Sequence, residues 1–184
     1  VKYADEIIVL SKGVQSYFWE NYRRKTIFIP NGVNKAEKQK TNEIVRKFGL
    51  VKNDYILYVG RLVPEKGLVY LIRAFKMIHT TKKLVIAGGA SDTNEFEDEL
   101  RKLATGDERI IFTGFVQGKV LEELYSNAYI YVLPSDLEGM PLSLLEAMSY
   151  GNCCLVSDIE ECSAVVEENA IIFRRGDISD LKDK

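Results

Sequence analysis

Residues 55–78 read YILYVGRLVPEKGLVYLIRAFKMI and join a strand to a helix through one glycine-flanked loop. Tyr55–Val59 is a short, continuously apolar run, which is typical of a strand buried on both faces. Gly60–Gly67 interrupts the pattern with glycine and proline. Apolar side chains then recur with a period near 3.6, as on one face of a helix, at Leu68, Leu71, Ile72, Phe75 and Ile78. This stretch therefore predicts one strand–loop–helix unit.

The same alternation of strand and helix continues downstream. Further strands are predicted at Leu84–Ala87, Ile110–Phe112, Tyr129–Leu133, Cys153–Val156 and Ala170–Phe173. Further helices are predicted at Glu95–Leu103, Val120–Tyr125, Leu142–Met148 and Cys162–Glu168. Strands and helices that alternate through short loops indicate an α/β fold with a doubly wound, Rossmann-like parallel sheet. Such sheets bind ligands beyond the carboxyl ends of their strands, at the point where the strand order reverses.

Upstream of residue 55 the pattern is less regular. Glu6–Leu10 and Thr26–Ile29 are predicted as strands, the first of them buried, and Ser11 is predicted to cap a helix between them. The polar, lysine-rich segment 34–42 is predicted as a linker or exposed loop, with Asn42 capping a short helix after it.

The composition is that of a globular protein without an excess of charge of either sign. Hydrophobic residues make up 46% of the 184 and charged residues 28%, which argues against disorder. Lys and Arg number 25 against 27 Asp and Glu. The basic excess of a general nucleic-acid binder is therefore missing, and no nucleic-acid partner is expected. No apolar run reaches the ~18 residues of a membrane span, and no signal peptide is recognisable.

Histidine and cysteine offer little for metal or redox chemistry. His79 is the only histidine and is interpreted as structural. Cys153, Cys154 and Cys162 show neither a zinc spacing nor a disulfide framework, so they are interpreted as small buried hydrophobes of a protein in a reducing cytosol. No metal site is therefore expected.

The loop Gly60–Gly67 has the features of a phosphate site. It leads from a strand into a helix, whose unpaired N–H groups and partial positive charge attract anions. Arg61 and Lys66 add two formal positive charges, so a phosphate or diphosphate is the natural ligand. A solvated loop would show the same residues, and the sequence leaves that alternative open. A Walker loop is excluded, because Gly114–Val120 has the wrong glycine spacing.

Residues 135–148 read SDLEGMPLSLLEAM and offer two carboxylates near one helix N-terminus. Pro141 suits the first turn of a helix, which places Glu138 in the preceding loop and Glu146 within the helix. Carboxylates accept hydrogen bonds from vicinal diols such as those of ribose or a hexose. A capping acid followed by an exposed helical glutamate would produce the same spacing, so this alternative also stays open.

Four motifs in a fixed order give the chain a family resemblance. They are IPNGV at 29–33, YVGR at 58–61 with EKG at 65–67, FTGF at 112–115, and the Glu-x7-Glu pair of Glu138 and Glu146. With them the chain resembles the retaining, nucleotide-sugar-dependent glycosyltransferases of the glycogen synthase and mannosyltransferase type, also called group 1. It departs from the family pattern at Asn34, where an aspartate is frequent, and around Glu160–Cys162, where Pro-Glu is frequent.

The resemblance implies a GT-B fold, in which two Rossmann-like domains face each other across a cleft. It implies that residues 1–32 are the end of an N-terminal, acceptor-binding domain together with the hinge. Residues 33–184 would be the donor-binding domain, truncated at its C-terminal end. Most of the acceptor domain and the closing C-terminal helix would then be absent from this chain, and the fragment alone is expected to catalyse nothing measurable.

The resemblance also assigns roles to individual residues. Arg61 and Lys66 would stabilise the departing diphosphate, Glu138 would face the transferred sugar, and Glu146 would hold the ribose hydroxyls. For Glu138 a positioning role is preferred over that of a nucleophile. Further donor contacts are implied for Gly60, Phe115, Val116, Gly139, Met140, Pro141 and Leu142. Neither a metal nor a cofactor is implied, because in this family cationic side chains and a helix dipole stabilise the leaving group.

The expected activity is the transfer of a hexosyl group from a nucleotide-diphosphate sugar to an unknown carbohydrate or lipid-linked acceptor, with retention of configuration. Polysaccharide, glycolipid or glycoconjugate synthesis is the expected setting. The protein is expected in the cytoplasm, and only the absent domain would contact the inner face of the membrane. Two alternatives stay open. A non-catalytic nucleotide-sugar-binding module would bind donor without transfer, and a nucleotide-sugar epimerase of the same fold would convert donor without an acceptor.

Overall fold

The computed structural model describes residues 3–90 and 94–184. Their strands and helices are, in chain order, β1 (Ile8–Val9), α1 (Lys12–Tyr22), β2 (Ile27–Phe28), α2 (Glu43–Phe48), β3 (Tyr55–Val59), α3 (Leu68–Lys76), β4 (Lys83–Ala87), α4 (Glu95–Ala104), β5 (Ile110–Gly114), α5 (Lys119–Asn127), β6 (Ile130–Leu133), α6 (Leu142–Ser149), β7 (Cys154–Ser157), α7 (Glu160–Val166), β8 (Ile171–Phe173) and α8 (Ile178–Asp183). A short 3₁₀ turn, Pro64–Lys66, precedes α3. Within the described residues, no helix has both the length and the apolar character that crossing a membrane requires.

Six strands form one parallel sheet in the order β5-β4-β3-β6-β7-β8. In the centre of the sheet, Leu57 of β3 pairs with Val85 of β4 on one side and with Tyr131 of β6 on the other. Strands β3, β4 and β5 follow one another toward one edge of the sheet, and β6, β7 and β8 follow one another from β3 toward the other edge. The doubly wound fold class is therefore confirmed. The order reverses between β3 and β6, so the crevice for a ligand lies beyond Val59 and Leu133.

The core follows from the apolar runs. Nearly every residue of β4 and every residue of β7 is buried, as continuous runs predict, whereas the edge strand β5 is only half-buried. Helix α3 turns one apolar stripe onto the sheet, with Leu68 and Ile72 fully buried. Burying one such side chain contributes about 2 kcal/mol to the free energy of folding. The buried stripe therefore holds α3, the helix after the Gly60–Gly67 loop, in place on the sheet.

Strands β1 and β2 form a separate two-stranded parallel sheet, with α1 between them in the chain. Ser11 caps α1 as predicted, because its hydroxyl accepts a backbone amide of the first turn at 3.2 Å. The prediction of a buried strand at Glu6–Leu10 is wrong, since β1 has only 2 residues and Ile8 is 60% exposed. In the described part of the chain only β2 pairs with it, and a two-stranded sheet leaves much of its surface open. The first two residues of the predicted unit 1–32 lie outside the described residues.

Residues 31–42, which we call the connector, run along α5 and α6 and are held there by hydrogen bonds. Three of its amides donate to side chains of these helices: Ala36 to Ser149 Oγ, Gln39 to Ser126 Oγ and Asn42 to Glu123 Oε2, each at 2.9 Å. The predicted side-chain cap by Asn42 is wrong. The buried carboxylate of Glu123 accepts the amides of Asn42 and Ile44 instead. Much of the connector is exposed as predicted, but its backbone is fixed.

The cysteines are only partly the buried side chains that the sequence predicts. Cys154 and Cys162 are buried, and burial raises the pKa of each thiol to about 12, which keeps both protonated. Cys153 is exposed, so the prediction is wrong there; it precedes the first residue of β7 and escapes the core. His79 is exposed just beyond the end of α3.

The ion pair between Arg109 and Asp107 makes the stability of the fold depend on pH. Arg109 donates to both oxygens of Asp107, at 2.8 and 2.6 Å, and to the carbonyls of Ile78 and Thr80 beyond α3. These hydrogen bonds hold the pKa of Asp107 below its usual value. A lowered folded-state pKa contributes stability that is present above the ordinary pKa near 4 and lost as the pH falls through the lowered one.

We expect Asp107→Asn to lower the free energy of unfolding by about 1 kcal/mol at pH 7, a modest value because the pair is partly screened by solvent. The loss should shrink as the pH falls below ~4, because Asp107 is then protonated first in the unfolded chain and only at lower pH in the folded protein. Urea unfolding of both proteins at pH 7 and at pH 3 measures the two differences. An equal loss at both pH values would contradict an electrostatic origin.

Candidate functional site

Two loops meet where the strand order reverses, the β3 loop (Gly60–Gly67) and the β6 loop (Pro134–Pro141). The amide of Asp136 in the second loop donates to the carbonyl of Glu65 in the first at 2.8 Å. Gly67 has a φ of 66°, and a Cβ built on it would stand 1.9 Å from the carbonyl oxygen of Pro134. Only glycine fits such a close approach of two backbones. The two loops are therefore packed against each other as one surface.

Lys66 and Glu138 form an ion pair across these loops. Lys66 Nζ lies 2.7 Å from Glu138 Oε1, and the two side chains are 15% and 6% exposed. The same Oε1 accepts a hydrogen bond from the hydroxyl of Ser135 at 2.7 Å. Charge-assisted hydrogen bonds of this length between largely buried partners are strong and directional. The structure thus brings together two of the three predicted catalytic residues.

Arg61, the third, lies exposed beside the carboxyl end of β3. Its backbone is fixed, because its carbonyl accepts the Tyr58 hydroxyl at 2.9 Å and the preceding Gly60 donates to the carbonyl of Ala87 at 3.0 Å. Burial raises the pKa of Tyr58, so the phenol remains a donor. A Cβ on Gly88 would lie 1.8 Å from the carbonyl oxygen of Gly60, so β4 closes tightly on this turn. The exposed guanidinium can reach a ligand beyond the strand ends.

Glu146 lies apart from this ion pair, in the wall of a cavity of about 800 Å³ between the connector, α5 and α6. Its Oε2 accepts the hydroxyl of Tyr125 at 2.9 Å, and the Tyr125 ring stacks on Tyr150 with centroids 5.5 Å apart. Burial raises the pKa of Tyr125 and keeps its proton in place. The cavity also includes Gly118, at the start of α5, and has the size of a small-molecule site. The two predicted carboxylates therefore belong to neighbouring but different parts of the site.

Gly139–Leu142 forms the entry into α6. Pro141 is the residue before the helix, where its lack of an N–H costs no hydrogen bond, and Leu142 is 50% exposed. The connector is hydrogen-bonded to the β6 loop at this point. The backbone amide of Asn31 donates to the sulfur of Met140 at 3.0 Å. The Asn31 side chain also donates to the carbonyl of Met140 at 3.3 Å.

Phe115 and Val116 follow the carboxyl end of β5 and have different surroundings. Phe115 is 77% exposed, and its Cβ would be 3.9 Å from a Cβ built on Gly89 beyond β4. Val116 packs against the core. An exposed aromatic ring at this edge offers a face on which a planar group can stack.

Sequence reasoning missed three side chains that organise the site. They are Ser135 beside Glu138, Tyr125 beside Glu146, and Tyr70, whose hydroxyl donates to Asp136 Oδ2 at 2.9 Å and has a raised pKa because of that bond. Ser135 could have been found, since it stands three residues before Glu138 at a strand end. The two tyrosines lie on other helices, and no local pattern links them to their partners.

The charged groups define what this arrangement can do. Two cations and the N-terminus of α6 can hold an anion, and two oriented carboxylates can accept hydroxyl groups. Within residues 3–90 and 94–184, no three His, Cys, Asp or Glu side chains are grouped as a metal ion would require.

Comparison with known proteins gives a consistent result. A model of the family described as Glycosyl transferases group 1 matches residues 40–184. An uncharacterised glycosyltransferase of Methanocaldococcus jannaschii is 34% identical over 167 residues, which cover 84% of this chain and 42% of that protein. Sucrose-phosphate synthase from Thermosynechococcus elongatus has a TM-score of 0.80 at 26% identity, covering 98% of this chain and 48% of that one. Anabaena HepE, crystallised with UDP and glucose, has a TM-score of 0.86 at 22% identity, with 99% and 53% covered. The chain therefore spans about half of each solved structure, and less of the relative.

Proposed function

Because the chain belongs to the group 1 glycosyltransferase family, we propose that it binds the donor in an enzyme that transfers a hexosyl group from a nucleotide-diphosphate sugar, with retention of configuration. The observation that carries this proposal is the Lys66–Glu138 ion pair between the β3 loop and the β6 loop, in which Glu138 directly precedes the entry into α6. A cation, a carboxylate and a helix N-terminus at one place suit the diphosphate and the sugar of such a donor.

The main requirement of the reaction is to stabilise the negative charge that develops on the leaving diphosphate. The bond from the anomeric carbon to the diphosphate breaks, and a new bond forms from that carbon to the acceptor oxygen on the same face of the ring. The acceptor proton passes to a departing diphosphate oxygen. Lys66 and Arg61 would stabilise the charge that develops on these oxygens, together with the amides at the start of α6. This assignment requires neither a metal nor a cofactor.

Glu138 is proposed to position the sugar. Lys66 and Ser135 both bind its Oε1, and the side chain is 6% exposed. A carboxylate held by a cation in this way is a weak nucleophile but a good acceptor for sugar hydroxyls. Gly60 and Gly139–Leu142 would contact sugar and phosphate oxygens through their backbone.

Glu146 is proposed to hold the ribose hydroxyls. It lines the cavity of about 800 Å³, and Tyr125 fixes its orientation through Oε2. The nucleobase would then lie toward Phe115 and Val116, where the exposed ring of Phe115 offers a stacking surface. UDP is the first nucleotide to test, since the Anabaena protein of the same fold was crystallised with it.

For the rest of the protein we propose the arrangement that the family motifs imply. Residues 1–32 would belong to an acceptor-binding domain with its hinge, and 33–184 to the donor domain. A carbohydrate or a lipid-linked sugar would be the acceptor, and the cytoplasm, with contact to the inner membrane face through the acceptor domain, would be the location.

Calorimetric titration of the full-length protein with UDP-, GDP- and ADP-sugars tests the proposal, followed by a transfer assay in which the anomeric configuration of the product is read by NMR. We expect one nucleotide class to bind and the product to keep the donor configuration. Donor binding without transfer to any acceptor would indicate a binding module, and conversion of the donor alone would indicate an epimerase. No binding at millimolar donor would refute the proposal.

A further inference from the structure

The carboxylate of Glu138 is held from inside the fold by a chain of two buried serines. Ser135, fully buried, donates to Glu138 Oε1 at 2.7 Å. Ser157, also fully buried, donates to the backbone carbonyl of Ser135 at 2.6 Å. Ser157 is the last residue of β7, and Ser135 lies just beyond the end of β6, so the bond joins two adjacent strands past their last paired residues. Glu138 is thus anchored to the sheet rather than only to its own loop.

Both described bonds to the Glu138 carboxylate converge on one oxygen. Lys66 approaches Oε1 from the β3 loop, and Ser135 approaches the same atom from the end of β6. A glutamate has three rotatable side-chain bonds, and two donors on one oxygen select a single orientation. The second oxygen, Oε2, is then the one that can accept from a ligand.

The ion pair alone does not supply this orientation. Lys66 has a flexible four-carbon stem and donates as a point charge, so it follows the carboxylate or the ligand phosphate wherever they lie. The buried hydroxyl of Ser135 has no such latitude, because its backbone is tied to Ser157. If Lys66 turned toward a diphosphate, the bond from Ser135 to Oε1 would remain.

We propose that Ser135 is a positioning residue for the transfer reaction, which orients Glu138 through Oε1 so that Oε2 accepts a hydroxyl of the donor sugar. This inference rests on the proposed function. In this proposal Ser135 contacts neither the sugar nor the diphosphate, and it acts on the reaction only through Glu138. Pre-orienting the carboxylate favours the reactive geometry of the sugar, so its loss should lower kcat more than donor affinity.

Three variants of the full-length protein test the proposal. Ser135→Ala removes the hydroxyl, Ser135→Thr keeps it, and Thr105→Val removes an exposed hydroxyl that donates to the carbonyl of Arg101 at the end of α4, outside the site. We expect Ser135→Ala to lower kcat about 10- to 100-fold while UDP affinity changes less than about twofold. Ser135→Thr should recover most of the rate, and Thr105→Val should leave it unchanged. If Ser135→Ala fails to fold, Ser157→Ala loosens the same serine and should give a smaller loss of kcat.

A crystal structure of the alanine variant without ligand separates the two proposals. We expect Glu138 to leave its single orientation there, while Lys66 still contacts it. An unmoved Glu138, or a kcat loss no larger than that of Thr105→Val, would overturn the role of Ser135 alone. A wild-type protein that binds no nucleotide sugar would overturn the proposed function instead, and the crystal structure would still decide whether Ser135 orients the carboxylate.

Discussion

Replacing both Arg61 and Lys66 by alanine is expected to weaken nucleoside-diphosphate binding at least ~100-fold, while nucleoside affinity changes less than about threefold. Each charge-assisted hydrogen bond contributes about 1.5–3 kcal/mol, and two of them lost together correspond to two or more powers of ten. The nucleoside would be bound by Glu146 and the surroundings of Phe115, which the substitutions leave intact. Calorimetry with UDP and with uridine, or with the base that the donor titration selects, measures both affinities.

The control for this prediction must remove the same charge at another place. Arg46→Ala with Lys47→Ala does so on α2, where both side chains are exposed and pair only with Glu43 among the described residues. Because Lys66 also neutralises the largely buried Glu138, thermal unfolding of each variant must show that the fold is retained. Equal losses for the diphosphate and the nucleoside would refute a role of Arg61 and Lys66 at the phosphates.

Gly67→Ala is expected to lower the free energy of unfolding by about 4 kcal/mol or more. A methyl group there would stand 1.9 Å from the Pro134 carbonyl oxygen, in a left-handed backbone with a φ of 66°. The oxygen belongs to the main chain, so a side-chain rotation cannot relieve the overlap and the β3 loop and the β6 loop must separate. Urea unfolding measures the loss, and the substitution should also abolish donor binding because Lys66 and Glu138 move apart.

Gly49→Ala is the matched control, since Gly49 has nearly the same φ of 62° but no atom within 4 Å of an added Cβ. It should cost only the ~1–2 kcal/mol of a left-handed backbone. The difference between the two variants then measures the contact between the loops. If both lose the same amount, the loops yield easily and do not form one rigid surface.

The sequence predicts the six-stranded sheet well because each strand and helix is marked by a pattern within its own short segment. Continuous apolar runs such as Tyr55–Val59 can be buried only in the centre of a covered sheet. The apolar stripe of α3 marks the one face of the helix that can pack on this sheet. The positions of Arg61, Glu138 and Glu146 also follow, because Arg61 and Glu138 stand in the loop after a strand and Glu146 lies within the next helix. The strand order then brings the β3 and β6 loops together.

What could not be predicted depends on partners far away in the chain. Lys66 and Glu138 are separated by 72 positions, and Asn31 and Met140 by 109. The sequence around Asn42 has every local mark of a side-chain cap, but Glu123, 81 positions away, takes its place. The apolar run Glu6–Leu10 looks like a core strand, although its burial depends on neighbours that a local pattern does not specify.

The three residues 29–31, which lead into the connector, leave little torsional freedom between the two sheets. Ile29 still belongs to the small sheet, because its amide donates to the carbonyl of Val9 at 3.0 Å. Asn31 already belongs to the large one through its two bonds to Met140. Between them stands Pro30, whose ring fixes its own φ and restricts the ψ of Ile29. A rotation of one sheet against the other would therefore use few torsions, mainly the φ of Ile29 and the ψ of Pro30, and it would act first on the loop that carries Glu138.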